Sequence, residues 1–117
     1  MNFLARISGR MTFLGEGRTR RVFLSRSGKY VVKIPLNGEG EHANFIEARD
    51  FSLNRFLGQE KLARCREVCL NGKWCLVMER VYPASIEENL PSWADFVDCR
   101  QVGYTRRKNL VAYDWAS

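Results

Sequence analysis

Histidine is nearly absent from this chain, proline is scarce, and acidic residues are outnumbered. The lone His42 stands apart from Cys65, Cys69 and Cys75, and none of the cysteines forms a C-x-x-C pair. A zinc site is therefore disfavoured, and the four thiols, Cys99 included, are expected to be reduced and buried in strands. No apolar run approaches the ~18 residues of a membrane span, and MNFLARISGR is too short and too broken by charge for a signal peptide. The cytosol is the expected compartment, with no membrane association. Against 13 Asp and Glu stand 19 Lys and Arg, a net charge of +6. That excess favours an anionic partner: a nucleotide, a nucleic acid or an acidic protein surface.

What is present reads as one globular domain. The 117 residues are 45% hydrophobic and 27% charged, enough for a single modest core. Residues 1–10 form a lead-in with Phe3, Leu4 and Ile7. Met11 to Leu14 is expected as a first strand, and Arg21 to Leu24 alternates as a second. Ser25 to Gly28 makes a turn, and Lys29 to Ile34 is a third strand stopped by Pro35. On it, Val31 and Lys33 share a face. A lysine turned inward beside valine is costly unless an anion meets it; a solvent-facing lysine is the alternative.

A helix is expected over Glu41 to Leu57, with Ile46, Leu53 and Leu57 as its apolar stripe and Phe45 and Phe56 beside it. Glu47, fourteen residues after Lys33, lies near enough to that stripe to face the sheet, or else is a solvated carboxylate pairing with helix neighbours. Asn71-Gly72 is a strong hairpin signal between Leu62–Leu70 and Lys73–Val81. Tyr82-Pro83 then breaks the strand. Two capping-box patterns, Ser85 to Glu88 and Ser92 to Asp95, suggest short helical turns separated by Pro91. A small hairpin closes around Arg106 to Asn109. The fold class expected is α+β: a five-stranded antiparallel sheet with one packed helix, plus a C-terminal remnant of helical turns and a β-hairpin.

Several of these segments fall in a known order. Gly15-Glu16-Gly17-Arg18-Thr19-Arg20-Arg21-Val22 is similar to the G-x-G-x-x-G-x-V loop that covers ATP phosphates, with Arg20 in place of the third glycine. Tyr30-Val31-Val32-Lys33 corresponds to V-A-I-K, Glu47 follows on the helix, and Met78-Glu79-Arg80-Val81 resembles a gatekeeper and hinge. Residues 11–81 thus resemble the small lobe of the protein kinase-like fold, and 82–117 a vestigial large lobe. The whole resembles the compact kinase-like proteins of some bacteriophages, which places it in a host cytoplasm.

That resemblance implies a nucleotide site. Gly15 and Gly17 would cover the phosphates, Val22 and Val31 would roof the adenine, and Met78, Glu79 and Val81 would border it. Lys33 would pair with Glu47 and reach the phosphates. Asp98 would be the catalytic aspartate and Asp114 the Mg²⁺ ligand, with Gln101 near the second metal-binding position. ATP and Mg²⁺ are the implied cofactors.

The pattern also departs from the family. H-R-D-x-x-x-x-N is missing, and sixteen residues between Val81 and Asp98 leave no room for long large-lobe helices. The chain ends three residues after Asp114, so no activation segment is expected. Phosphoryl transfer draws roughly 7–11 kcal/mol from positioning, which such a remnant would hardly supply. The preferred expectation is a pseudokinase-type module that binds a protein partner, with ATP as an optional ligand. A minimal phosphotransferase completed by a partner or dimer mate is the alternative. A nucleic-acid binder using Arg18, Arg20, Arg21, Arg26 and Arg106 to Lys108 is another, although no aromatics interleave with those clusters. Arg20 would either clamp an anion or fill the cleft.

Overall fold

A computed structural model describes residues 10–85 and 87–116. The lead-in, apart from Arg10, and Ile86 of the first capping box lie outside them. Two antiparallel sheets and one helix make up the described chain, in agreement with the expected α+β class. The first sheet has the order β1-β2-β3-β5-β4, from β1 (Thr12–Glu16), β2 (Arg20–Leu24), β3 (Tyr30–Pro35), β4 (Cys65–Leu70) and β5 (Lys73–Glu79). The second joins β6 (Val81–Pro83), β7 (Val102–Thr105) and β8 (Leu110–Ala112).

Alternation along β3 sets the layers. Val32 and Ile34 pack with Leu70, Cys75, Phe23 and Val77 on one face of the large sheet. Opposite them, Val31 pairs with Met78 and Lys33 with Leu76 on the face that meets the helix α1 (Gly38–Ser52). Leu76 and Met78 are almost fully buried there with Ala63 and with Val111 of the second sheet, so the two sheets share a core. Burying side chains of this size stabilises by roughly 1.5–3 kcal/mol each. A further cluster, Leu62, Ala94, Val97, Val102 and Ala112, packs below it against Phe51 and Trp93.

The sequence expectations are corrected in several places. The first strand runs to Glu16, because the hairpin closes only where the Gly17 N–H donates to the Arg20 carbonyl at 2.9 Å, after a bulge between Phe13 and Gly15. Pro35 ends β3 but belongs to it, opposite Arg20. The strand expected over Lys73–Val81 divides: β5 ends at Glu79, and Val81 to Pro83 enters the second sheet, with Pro83 opposite Gly103. The segment Leu62 to Arg64 precedes β4, Leu62 bridging in parallel to Ala112. The first capping box closes a single turn, Ser85 with Glu88, and Ser92–Phe96 is a 3-10 turn without a side-chain cap. Cys69 and Cys99 are exposed rather than buried.

The helix is shifted furthest. It starts at Gly38, where Asn37 caps it by accepting the Gly40 N–H at 3.0 Å, and it ends at Ser52. Asn54 and Phe56 take positive φ, so Leu53, Phe56 and Leu57 fall outside. Gly40 is required there, since a Cβ would sit 2.2 Å from the Thr19 carbonyl oxygen. Nor is the buried stripe Ile46, Leu53 and Leu57: α1 buries Gly40, Ala43, Asn44, Glu47 and Asp50. A helix that turns polar groups toward a sheet has to find them partners.

Candidate functional site: a closed ion-pair cluster under the glycine loop

Glu47 is the hub, with none of its surface exposed. Its Oε1 accepts from Lys33 Nζ at 2.9 Å and from Arg20 Nη1 at 2.6 Å. Its Oε2 accepts the backbone N–H of Trp115 at 2.9 Å and of Ala116 at 3.2 Å. Burial alone would raise the carboxyl pKa, but the charges of Lys33 and Arg20 and their hydrogen bonds outweigh it and hold it at about 2.

The other members are tied in the same way. Lys33 Nζ also donates to the Tyr113 carbonyl at 2.6 Å. Arg20, 5% exposed, donates from Nη1 to Asn44 Oδ1 at 3.1 Å and from Nη2 to Asp114 Oδ1 at 2.7 Å. The Asn44 amide donates to the carbonyls of Lys33 and Trp74, locking α1 onto β3 and β5. The Trp115 indole donates to Asp50 Oδ2 at 3.3 Å. Two cations thus meet two carboxylates. Among the described residues, Arg49 Nε is the one buried side-chain polar atom without a hydrogen bond, so the cluster itself is satisfied.

Above the cluster opens a cleft of about 410 Å³, lined by Gly17, Val22, Lys33, Asp98 and Asp114 together with Arg18 to Arg20. The phosphate half of the expected site therefore converges: loop, lysine and both aspartates. Gly15 stands off this cleft, in β1 beside the bulge. Of the adenine half, Val22 lines the cleft and the rest is placed elsewhere. Val31, Met78 and Val81 pack in the shared core with Val111 and Tyr113, and none of them lines the cleft. Glu79 turns to a different groove, where its Oε2 accepts the Arg64 backbone N–H at 2.6 Å.

The expected metal ligands do not assemble. Asp114 is bonded to Arg20, and Asp98, expected as the catalytic aspartate, is exposed on a 3-10 turn. The backbone of Gln101 bonds Asp98 and Tyr113, and the residue lies outside the cleft. No group of three or more His, Cys, Asp or Glu fit for a metal exists among the described residues. The donor set as it stands does not fit Mg²⁺.

Sequence reasoning singled out Lys33, Glu47, Arg20 and Asp114, and these four meet. It missed Asn44, Asp50 and Trp115. The spacing of Asn44, Glu47 and Asp50, each three residues apart on one helix face, was the available signal. Arg20, expected either to clamp an anion or to fill the cleft, lines the cleft while its guanidinium bonds Asn44, Glu47 and Asp114. Two of the thiols are quiet: burial first, and the Glu47 charge second, push Cys65 up to about 12, and burial pushes Cys75 up to about 11. No protein-family model matches this sequence, and no curated protein matches it.

Proposed function

We propose that the chain is a kinase-like binding module of the pseudokinase kind, one that keeps the phosphate half of a nucleotide cleft and engages a protein partner without transferring phosphate. The observation that supports this most strongly is Arg20. Its guanidinium bridges Glu47 and Asp114, so the carboxylate that would hold a metal in a phosphotransferase is already neutralised. Lys33 and the loop at Gly17 remain at the cleft wall, where they would meet the phosphates of ATP. A protein partner is supported by exposed apolar side chains, among them Phe13 and Leu14 on the edge strand β1, Phe45 on α1, and Phe96.

A thermal-shift titration with ATP, with and without Mg²⁺, tests the nucleotide half of this reading, because a ligand that binds the folded state raises its melting temperature. The expected result is a rise that Lys33→Ala reduces. No shift at millimolar ATP would remove the nucleotide and leave the protein partner alone. The phosphotransferase reading draws on Asp98, which lines the same cleft as Lys33 and Asp114. Metal-dependent transfer of labelled phosphate, abolished in both Lys33→Ala and Asp114→Ala, would establish it in place of the binding module.

A further inference from the structure

The cleft under the loop is not the sole concavity among the described residues. A groove of about 810 Å³ lies at one end of the large sheet, lined in part by the face turned away from α1 and in part by Cys65 and by Phe51 of α1 itself. Tyr30, Val77, Glu79 and Arg66 share that face, since Tyr30 is opposite Glu79 and Arg66 is opposite Val77. Lys29, Arg64, Arg80 and Arg106 complete its basic lining.

Five cations face this groove and Glu79 is its one acid. The Glu79 carboxylate accepts a backbone N–H and, among the described residues, makes no salt bridge with any of them, so the lining keeps a net positive charge. Among the described residues, none of the five makes a salt bridge; Arg18, Arg20, Arg21, Lys33, Arg49 and Arg100 elsewhere do, while scattered cations such as Arg55 and Lys73 do not, so what sets the groove apart is five unpaired cations lining one concavity. Arg80 donates to the Gly28 carbonyl and lies 4.6 Å over the ring of Tyr82. Tyr82 and Tyr30 are 48% and 49% exposed. Unpaired guanidinium groups beside open aromatic rings on a sheet are the combination that holds phosphates and stacks bases.

From this we infer that the groove binds single-stranded nucleic acid, with phosphates on Arg64, Arg66 and Arg106 and bases stacked on Tyr30 and Tyr82. An acidic peptide would use the cations but leave the half-exposed Tyr30 ring, and the Tyr82 face that Arg80 does not cover, without a planar partner. The interleaving of aromatic and basic residues that the linear sequence lacks is supplied by the fold. This site is separate from the cleft and does not depend on nucleotide binding there.

Fluorescence anisotropy of labelled 20-mers, oligouridine and its deoxythymidine counterpart, tests the assignment across a KCl series. Binding is expected with a slope of log affinity on log salt near about −2, as ~0.7 per phosphate predicts for three contacts. Arg66→Glu should weaken binding at least ~tenfold and flatten the slope by about one unit. Lys73→Glu, the same charge change at the far end of the β4–β5 hairpin, should change it less than ~threefold. Tyr30→Ala should cost about tenfold through lost stacking. A preference between the two oligomers would identify RNA or DNA as the ligand. The inference is overturned by no binding at low salt, by equal losses in Arg66→Glu and Lys73→Glu, or by full affinity in Tyr30→Ala. It is also overturned if polyglutamate binds with sensitivity to Arg66→Glu while the oligonucleotides do not, which would assign the groove to an acidic protein.

Discussion

Two regions of this molecule are rich in basic side chains, and they treat charge in opposite ways. Under the glycine loop, Arg20 and Lys33 are buried and each is matched to a carboxylate on α1 or near the C-terminal end of the described chain. At one end of the same sheet, Lys29, Arg64, Arg66, Arg80 and Arg106 line an open groove without a salt bridge among the described residues. The difference separates charge that holds the fold from charge left for a ligand. A buried cation without its anion would unfold the site, so its partners come from the chain itself. An exposed cation costs little to leave unpaired, so it remains free to recognise something else.

The largest effect should come from removing the hub. Glu47→Ala leaves Arg20 and Lys33 buried without their shared anion and should cost about 3–5 kcal/mol in urea denaturation. In the groove, Arg66→Ala should stay within ~0.5 kcal/mol. Equal costs at the two sites would erase the contrast. The pH dependence sharpens it further. Glu47 titrates near 4.5 when unfolded and at about 2 in the fold, so its contribution is complete above pH 4.5 and is lost as the pH falls toward 2. An acid titration followed by circular dichroism should show stability falling across that window, and Glu47→Gln should flatten the fall.

Smaller effects probe how the helix is seated over the cluster. Alanine normally favours a helix by ~1 kcal/mol over glycine, but Gly40→Ala drives a methyl into the Thr19 carbonyl and should destabilise by about 1–3 kcal/mol. A stabilised Gly40→Ala would mean that the start of α1 lies farther from the Thr19 carbonyl. The smallest effect is expected at the rim. Arg18 and Glu39 form a 2.7 Å pair with side chains 75% and 66% exposed, and breaking it should change stability by less than ~1 kcal/mol.

Much of this frame was legible in the sequence wherever the signal was local. Asn71-Gly72 marks its hairpin because both residues take positive φ there, and alternation along β3 separates Lys33 from Val32 without reference to anything distant. The helix boundaries were not legible in the same way. Gly38 and Gly40 look like loop residues, and only the Asn37 cap and the approach of Thr19 explain why the helix begins among them. Its buried face was misread because polar Asn44, Glu47 and Asp50 occupy positions usually apolar, and their partners arrive from β2, β3 and the segment after β8. The groove was invisible for a different reason. Lys29 and Tyr30, Arg64 and Arg66, Arg80 and Tyr82, and Arg106 come from four separate places, none conspicuous alone. The dense run from Arg18 to Arg21 attracted notice instead, and there each arginine has its carboxylate nearby.

A double-mutant cycle on Lys33 and Glu47 tests the buried cluster most directly. Urea denaturation of Lys33→Met, Glu47→Gln and the double variant yields the energy by which the two side chains depend on each other. A coupling above about 1.5 kcal/mol is predicted for a pair enclosed as this one is. A coupling below about 0.5 kcal/mol, the scale of an exposed surface pair, would contradict the account.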